Sequence, residues 1–187
     1  MDVLFINACV REESRTKKIA DYYLKKLGYS VAELNLEKEK IEPLYQESLK
    51  KRDELLGNGS YDDEMFKYAR QFANAQYIVI AAPYWDFSFP ASLKSYIERI
   101  NAIGITFSYN EKGEASGLCK AKKLVYITTC GGYDVPDDFG FEYIKRLCNS
   151  YYGINDVELI KATGLDIVGN NVDEIIENTI NEIGDKL

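Results

Sequence analysis

Five short runs of branched and aromatic side chains alternate with stretches of helical spacing, and this alternation most restricts what the chain can fold into. The runs are Asp2-Val-Leu-Phe-Ile-Asn7, Ser30 to Leu36, Tyr77-Ile-Val-Ile-Ala-Ala82, Lys123-Leu-Val-Tyr-Ile-Thr-Thr129 and Asp156-Val-Glu-Leu-Ile-Lys-Ala162. The first and third are apolar almost without a break, as strands buried on both faces require. Between the first and second, Ser14 is the natural N-cap of a helix with Ile19, Tyr22, Tyr23 and Leu27 along one stripe, stopped by Gly28. A helix over Tyr45 to Leu56 ends at Gly57-Asn-Gly59. Ser60 with Asp63 then resembles a capping box for a helix turning Met65, Phe66, Ala69, Phe72 and Ala73 inward. After the third run, Pro83 stops ladder pairing, and Ser88 is expected to cap a helix with Pro90 in its first turn and Leu93, Tyr96, Ile97 and Ile100 on its face. Phe139 to Tyr152 and Val172 to Ile183 supply the last two helical stripes.

Such alternation predicts an α/β fold with a parallel sheet and helices on both faces. At 187 residues and 46% hydrophobic content, with no long Gly/Ser/Pro linker, a single domain over residues 1–187 is expected. Five units of this size fit a flavodoxin-like three-layer sandwich, its five-stranded parallel sheet in the order 2-1-3-4-5. Ile105-Thr-Phe-Ser-Tyr109 followed by Asn110-Glu-Lys-Gly113 reads as a hairpin excursion after the helix of strand three. In this order the switch point lies between strands one and three, which directs a ligand crevice to the loops Asn7 to Ser14 and Pro83 to Ser88.

Composition removes several classes of chemistry. The chain has no histidine, so Ser-His-Asp and Cys-His nucleophilic systems and histidine metal sites are excluded, and reactivity falls to carboxylates, Tyr, Lys, Cys or a bound cofactor. Cys9, Cys119, Cys130 and Cys148 form no Cys-x-x-Cys pair, so no metal site is expected and the thiols are expected to be free. A net charge of −7 argues against a general nucleic-acid or anionic-membrane binder. The apolar start has no basic region before it, and no segment approaches the ~20 apolar residues of a membrane span, so a cytoplasmic location is expected.

Three loops at the expected crevice carry candidate site residues. Cys9-Val-Arg-Glu-Glu-Ser-Arg-Thr-Lys17 sits where free N–H groups and the positive end of a helix dipole hold a phosphate, with Ser14 and Thr16 adding hydroxyls. Residues 11–18 contain two Arg and two Lys against two Glu, a local positive surplus in an acidic chain; the bland alternative is a capped helix with a solvated charged face. Neither Gly-x-x-x-x-Gly-Lys-Ser/Thr nor Gly-x-Gly-x-x-Gly occurs in this loop, so a monophosphate fits better than a triphosphate or a dinucleotide. Tyr84 to Phe87 form an aromatic loop on which a flat partner can lie. Thr128-Thr-Cys-Gly-Gly-Tyr133 places glycines where backbone can approach a ring edge. Trp85, Phe87, Phe107, Tyr109, Tyr133, Phe139 and Phe141 lie in or near loops, as pocket lining, as a dimer interface or as ordinary core.

The pattern Ala-Pro-x-x-x-Phe-Ser-x-Pro-Ala-x-Leu-Lys-x-Tyr-Ile at Ala82 to Ile97 resembles the flavin loop of the FMN-dependent NAD(P)H:quinone and azo-compound reductases. Gly104 to Gly113 is similar to that family's hairpin, as is Gly153 to Glu158 with Ala162 and Gly164-Leu165 after it. The resemblance runs nearly end to end. It implies a homodimer with FMN at each interface and two-electron transfer from NADH or NADPH to a small-molecule quinone, azo or nitro acceptor. It also assigns cofactor-binding positions. Ser14 and Thr16 match the family's phosphate-binding Ser-x-Ser, with Cys9 in place of a nearby serine. Pro83, Tyr84, Trp85, Asp86 and Phe87 match the loop against the ring, and Thr129, Cys130, Gly131, Gly132 and Tyr133 its edge. Cys130 stands where relatives often carry Arg, and Asp86 where they carry Asn. Tyr133 and Tyr109 are the candidate proton donors. A flavodoxin-like electron carrier and a cofactor-free binding protein derived from the fold are the alternatives.

Overall fold

The computed structural model describes residues 3–185. In chain order these form β1 (Val3–Asn7), α1 (Arg15–Leu27), β2 (Val31–Asn35), α2 (Leu36–Glu39), α3 (Gln46–Gly57), a 3₁₀ turn (Glu64–Phe66) running into α4 (Lys67–Asn74), and β3 (Tyr77–Ala81). After β3 come α5 (Ala91–Ile100), β4 (Phe107–Tyr109), β5 (Ala115–Gly117), β6 (Lys123–Thr129), α6 (Phe141–Leu147) with a π-helical turn at Cys148–Tyr152, β7 (Asp156–Ala162) and α7 (Val172–Gly184).

Five strands pair in parallel in the order β2-β1-β3-β6-β7, and β4 pairs antiparallel with β5 in a separate two-stranded ribbon. Counted by sheet strands alone, this is the flavodoxin-like 2-1-3-4-5 order. The expected strands at 123–129 and 156–162 coincide with β6 and β7, and Asp2 of the first expected strand lies outside the described residues. β1 is buried along its whole length because it sits inside the sheet under helices on both faces.

The core divides into one layer on each side of the sheet. Ile19, Tyr23, Ile176 and Ile183 bring α1 and α7 onto Val3, Phe5, Val79 and Val125. Phe72, Leu93, Tyr96 and Ile144 bring α4, α5 and α6 onto Leu4, Ile6, Ile78 and Leu124. Alternate residues of the same strands feed opposite layers, and each fully buried side chain contributes roughly 1.5–3 kcal/mol. Among the described residues, no helix is long and apolar enough to cross a membrane and no group of acidic, Cys or His side chains is arranged to hold a metal ion.

Ser14 caps α1 by accepting from the Lys17 N–H at 3.2 Å, and Gly28 ends the helix at φ 67°, a left-handed conformation open to glycine at little cost. Two other expected caps differ. Ser88 does not cap α5; its hydroxyl donates to the Phe139 carbonyl at 2.7 Å, and Pro90 takes the N-cap position with no side-chain bond. Asp63, not Ser60, caps the turn before α4 by accepting from the Met65 N–H at 2.9 Å. At Ser88 a tertiary partner, Phe139, takes the hydroxyl, whereas at 60–63 the choice of Asp63 is made by a bond two residues away.

Candidate functional site

The C-terminal ends of β1, β3 and β6 open into a cleft of about 280 Å³ lined by Arg11, Glu13, Ser14, Arg15, Pro83, Tyr84, Trp85, Thr129, Cys130, Gly131, Leu165 and Asp166. It lies where the sheet order reverses, between β1 and β3.

One end is built on the start of α1. Asn7, fully buried, accepts from the Cys9 N–H at 3.0 Å and donates to Glu33 at 2.8 Å, which fixes the path of the chain leaving β1. Ser14 Oγ accepts from the Lys17 N–H, and its hydroxyl also lies within hydrogen-bond reach of the Cys9 thiol at the cleft wall. The Arg15 and Thr16 N–H groups, first in the helix, have no intrahelical acceptor. With the Arg11 and Arg15 side chains beside them, these donors form a set suited to an anion.

The other end is aromatic. Trp85 and Ser88 exchange backbone hydrogen bonds of 3.1 and 2.7 Å around Asp86 and Phe87, whose φ values are 49° and 66°. This is the geometry of a type I′ turn, which favours Asn-Gly; two side-chain-bearing residues there cost roughly 1–2 kcal/mol each. The turn is tied to the loop after β6. Tyr84 Oη donates to the Pro136 carbonyl at 3.0 Å and Ser88 to that of Phe139, while Lys161 Nζ from β7 reaches the Val135 carbonyl at 2.7 Å and Asp137 at 2.8 Å.

A third wall comes from the segment after β7. Gly164, Leu165 and Asp166 donate backbone N–H groups to the carbonyls of Gly132, Cys130 and Gly131 at 2.9, 3.1 and 3.0 Å, a strand-like pairing that lays this segment along the cleft. A Cβ on Gly131 would collide with the Asp166 carboxylate, so glycine is required for this close approach.

Of the residues expected from sequence, Ser14, Pro83, Tyr84, Trp85, Thr129, Cys130 and Gly131 come together along the cleft. The others take different places. Thr16 is buried beneath it, its hydroxyl sharing a 2.7 Å hydrogen bond with that of Thr129, and so it supports the floor instead of presenting a donor. Cys9 is buried with its thiol 3.7 Å from the Ala81 carbonyl, and burial pushes that thiol up to about 11. Cys130 is likewise pushed up to about 11 by burial, so neither thiol is a nucleophile at neutral pH. Asp86, Phe87, Gly132 and Tyr133 lie off the lining. The Tyr133 ring packs over Gly164, and its hydroxyl accepts from Asn170 Nδ2 at 2.6 Å. Tyr109 projects from the β4–β5 ribbon, edge-on to Phe107. Phe107 and Phe141 are buried, whereas Trp85, Phe87, Tyr133 and Phe139 are 39%, 62%, 61% and 68% exposed.

Sequence reasoning did not single out Leu165 and Asp166, which reach the cleft from 150 residues beyond Arg15. Gly164-Leu165 carried a weak signal in the family pattern, and Asp166 carried none.

Residues 1–187 match the model of a family described by its flavodoxin-like fold. An FMN-dependent NADH:quinone oxidoreductase 2 of Clostridium acetobutylicum is 42% identical over 190 residues, covering 95% of this chain and 94% of the relative. An FMN-dependent NADH:quinone oxidoreductase of Clostridium perfringens is 38% identical over 187 residues, covering 95% and 93%. Among solved structures, an FMN-dependent NADH-azoreductase of Bacillus anthracis in complex with FMN superposes with a TM-score of 0.82 at 25% identity, covering 100% of this chain and 97% of that one. A second azoreductase structure from Bacillus anthracis gives 0.84 at 25% identity, covering 100% and 98%. With the reversal-point cleft, the sheet order and these relatives in agreement, the chain belongs to the flavodoxin-like family, alongside the FMN-dependent NADH:quinone oxidoreductases it matches.

Proposed function

We propose that the protein is an FMN-dependent oxidoreductase that moves two electrons from NADH to a quinone or azo acceptor, with FMN seated in the cleft. The observation that carries this reading is the pairing, in one cleft, of an anion-suited helix start with an aromatic wall. That donor set fits a flat ring with a phosphate tail. The names of the relatives, FMN-dependent NADH:quinone oxidoreductases, support the same chemistry.

When bound, FMN supplies the redox chemistry, taking up and handing on a hydride equivalent, which suits a chain without histidine. The chain's part is placement. Ser14 and the first N–H groups of α1 would hold the phosphate, and Tyr84 and Trp85 would flank the ring. Orienting two ring faces turns a bimolecular transfer into an oriented one. Asp86 is exposed at the tip of its turn and off the cleft lining, so solvent would screen its charge from a ring bound there. Neither Tyr133 nor Tyr109 lines the cleft of one chain, so neither is assigned the proton delivered to the acceptor.

The exposed Trp85, Phe87, Tyr133 and Phe139 are bulky apolar groups on the loops around the cleft, and they support a homodimer in which a second copy covers the ring end. Sedimentation at micromolar concentration checks this, and a monomer at all concentrations rejects it. For the activity, the purified protein is reconstituted with FMN and mixed anaerobically with NADH and with NADPH. Loss of oxidised-flavin absorbance much faster than for free FMN is expected with NADH. If the protein binds FMN and neither nucleotide accelerates the bleaching, the enzyme reading is wrong.

A further inference from the structure

Lys161 stands near the end of β7, in register with Thr128 of β6, so its backbone is fixed by the sheet. Its ammonium, on a side chain only 18% exposed, donates to the Val135 carbonyl at 2.7 Å and to Asp137 Oδ1 at 2.8 Å. Between and beside these acceptors the same loop serves the cleft. The Pro136 carbonyl accepts from Tyr84 Oη at 3.0 Å, and the Phe139 carbonyl accepts from the Ser88 hydroxyl at 2.7 Å. Tyr84 and Ser88 bracket the turn that carries Trp85, and both Tyr84 and Trp85 line the cleft.

The turn has little means of keeping its own shape. Asp86 and Phe87 occupy the left-handed region, which side-chain-bearing residues disfavour, so the turn holds only where its surroundings impose it. It is pinned to β6 where the Tyr84 N–H donates to the Thr129 carbonyl at 3.1 Å, and one such point fixes position but not tilt. Tilt is left to the bonds at Pro136 and Phe139. Those carbonyls stand where they do because Lys161 ties the loop around Pro136 to the sheet. This ion pair is partly withdrawn from water, so losing either member leaves the other short of a partner and frees the loop.

We propose that Lys161 is a positioning residue for the transfer step: acting through residues 135–139, it sets the tilt of Tyr84 and Trp85 against a ring bound in the cleft. The consequence for transfer rests on the FMN reading of the cleft; the hold on Trp85 does not.

Trp85 is the one tryptophan of the chain, so its emission in the apoprotein reports the wall directly. In Lys161→Met the acrylamide quenching constant should rise by about twofold, as a ring now 39% exposed moves toward full exposure. Asp137→Asn, a gentler change that keeps an oxygen for the ammonium, should shift it the same way by less, and it carries the test if Lys161→Met does not fold. In a background of Tyr84→Phe with Ser88→Ala, where both straps are cut, Lys161→Met should add nothing further. Wild-type quenching in the Lys161 and Asp137 variants, or an equal increment in the strapless background, would overturn the proposal. With FMN reconstituted, the rate of bleaching at saturating NADH should fall by about tenfold in Lys161→Met, the NADH concentration for half-maximal rate staying within about twofold. An unchanged rate beside a loosened Trp85 would make Lys161 a structural residue only and overturn its part in transfer. A wild-type protein that NADH bleaches no faster than free FMN would overturn the FMN reading itself, while the quenching result still decides whether Lys161 holds the wall.

Discussion

The two ends of the cleft are built by opposite means. At the anion end the backbone is relaxed: a serine cap, an Asx turn at Asn7 and a regular helix start place the donors, and the Thr16 hydroxyl is buried against that of Thr129. At the ring end Asp86 and Phe87 both occupy the left-handed region, and Phe87 is largely exposed. A conformation that costs energy without a packing return persists only where its surroundings over-determine it. Here those surroundings are the bonds from Tyr84 and Ser88 that strap the turn to Pro136 and Phe139, in a loop that Lys161 of β7 holds at Val135 and Asp137. A phosphate can be held by features any helix start provides, whereas a ring face calls for side chains presented at an angle that ordinary backbone does not supply.

This contrast can be broken from either side. The largest expected effect is at the relaxed end: Thr16→Val leaves the Thr129 hydroxyl buried without its partner and should cost about 1–3 kcal/mol in denaturant unfolding. A loss below a few tenths of that would mean water replaces the bond. At the strained end the sign reverses. Phe87→Gly removes an exposed ring and a left-handed side chain, so stability should rise by up to about 1 kcal/mol in denaturant unfolding. A destabilised variant would show that the ring packs in the assembled protein.

Smaller still is the effect of charge at the turn. Asp86 is exposed and off the lining, so Asp86→Asn should raise the flavin midpoint potential by only about 10 mV, the water-screened limit for a charge several ångströms away. A rise of about 60 mV or more would place the carboxylate against the ring. The two thiols give the smallest effect at neutral pH. Cys9 and Cys130, one at each end, have folded values raised to about 11, above the ordinary 9.0. Both should resist alkylation at pH 8 in the native state. Their contribution to stability is fully present below pH 9 and is lost as pH rises from 9 through 11, because the unfolded chain ionises first. Alkylation of either at pH 8, read by mass spectrometry, would show local opening of that end.

Much of this molecule is legible in one dimension. The apolar runs at 77–81, 123–129 and 156–162, the Ser14 cap and the Gly28 stop depend on periodicity and on backbone preferences spread over a few residues, and the sheet order follows from counting such units. The switch-point rule then placed Ser14, Tyr84, Trp85 and Gly131 at one edge. Only the tertiary structure decided which residue of the α1 start lines the cleft and which is buried in its floor, since Ser14 and Thr16 are alike in type and differ in helical phase against β6. It also turned Ser88 away from capping toward Phe139 and brought Asp166 to Arg15 across 151 residues. Local patterns carry their own energetic reason within a turn of chain. A bond between distant residues has none until the sheet sets the distance between them.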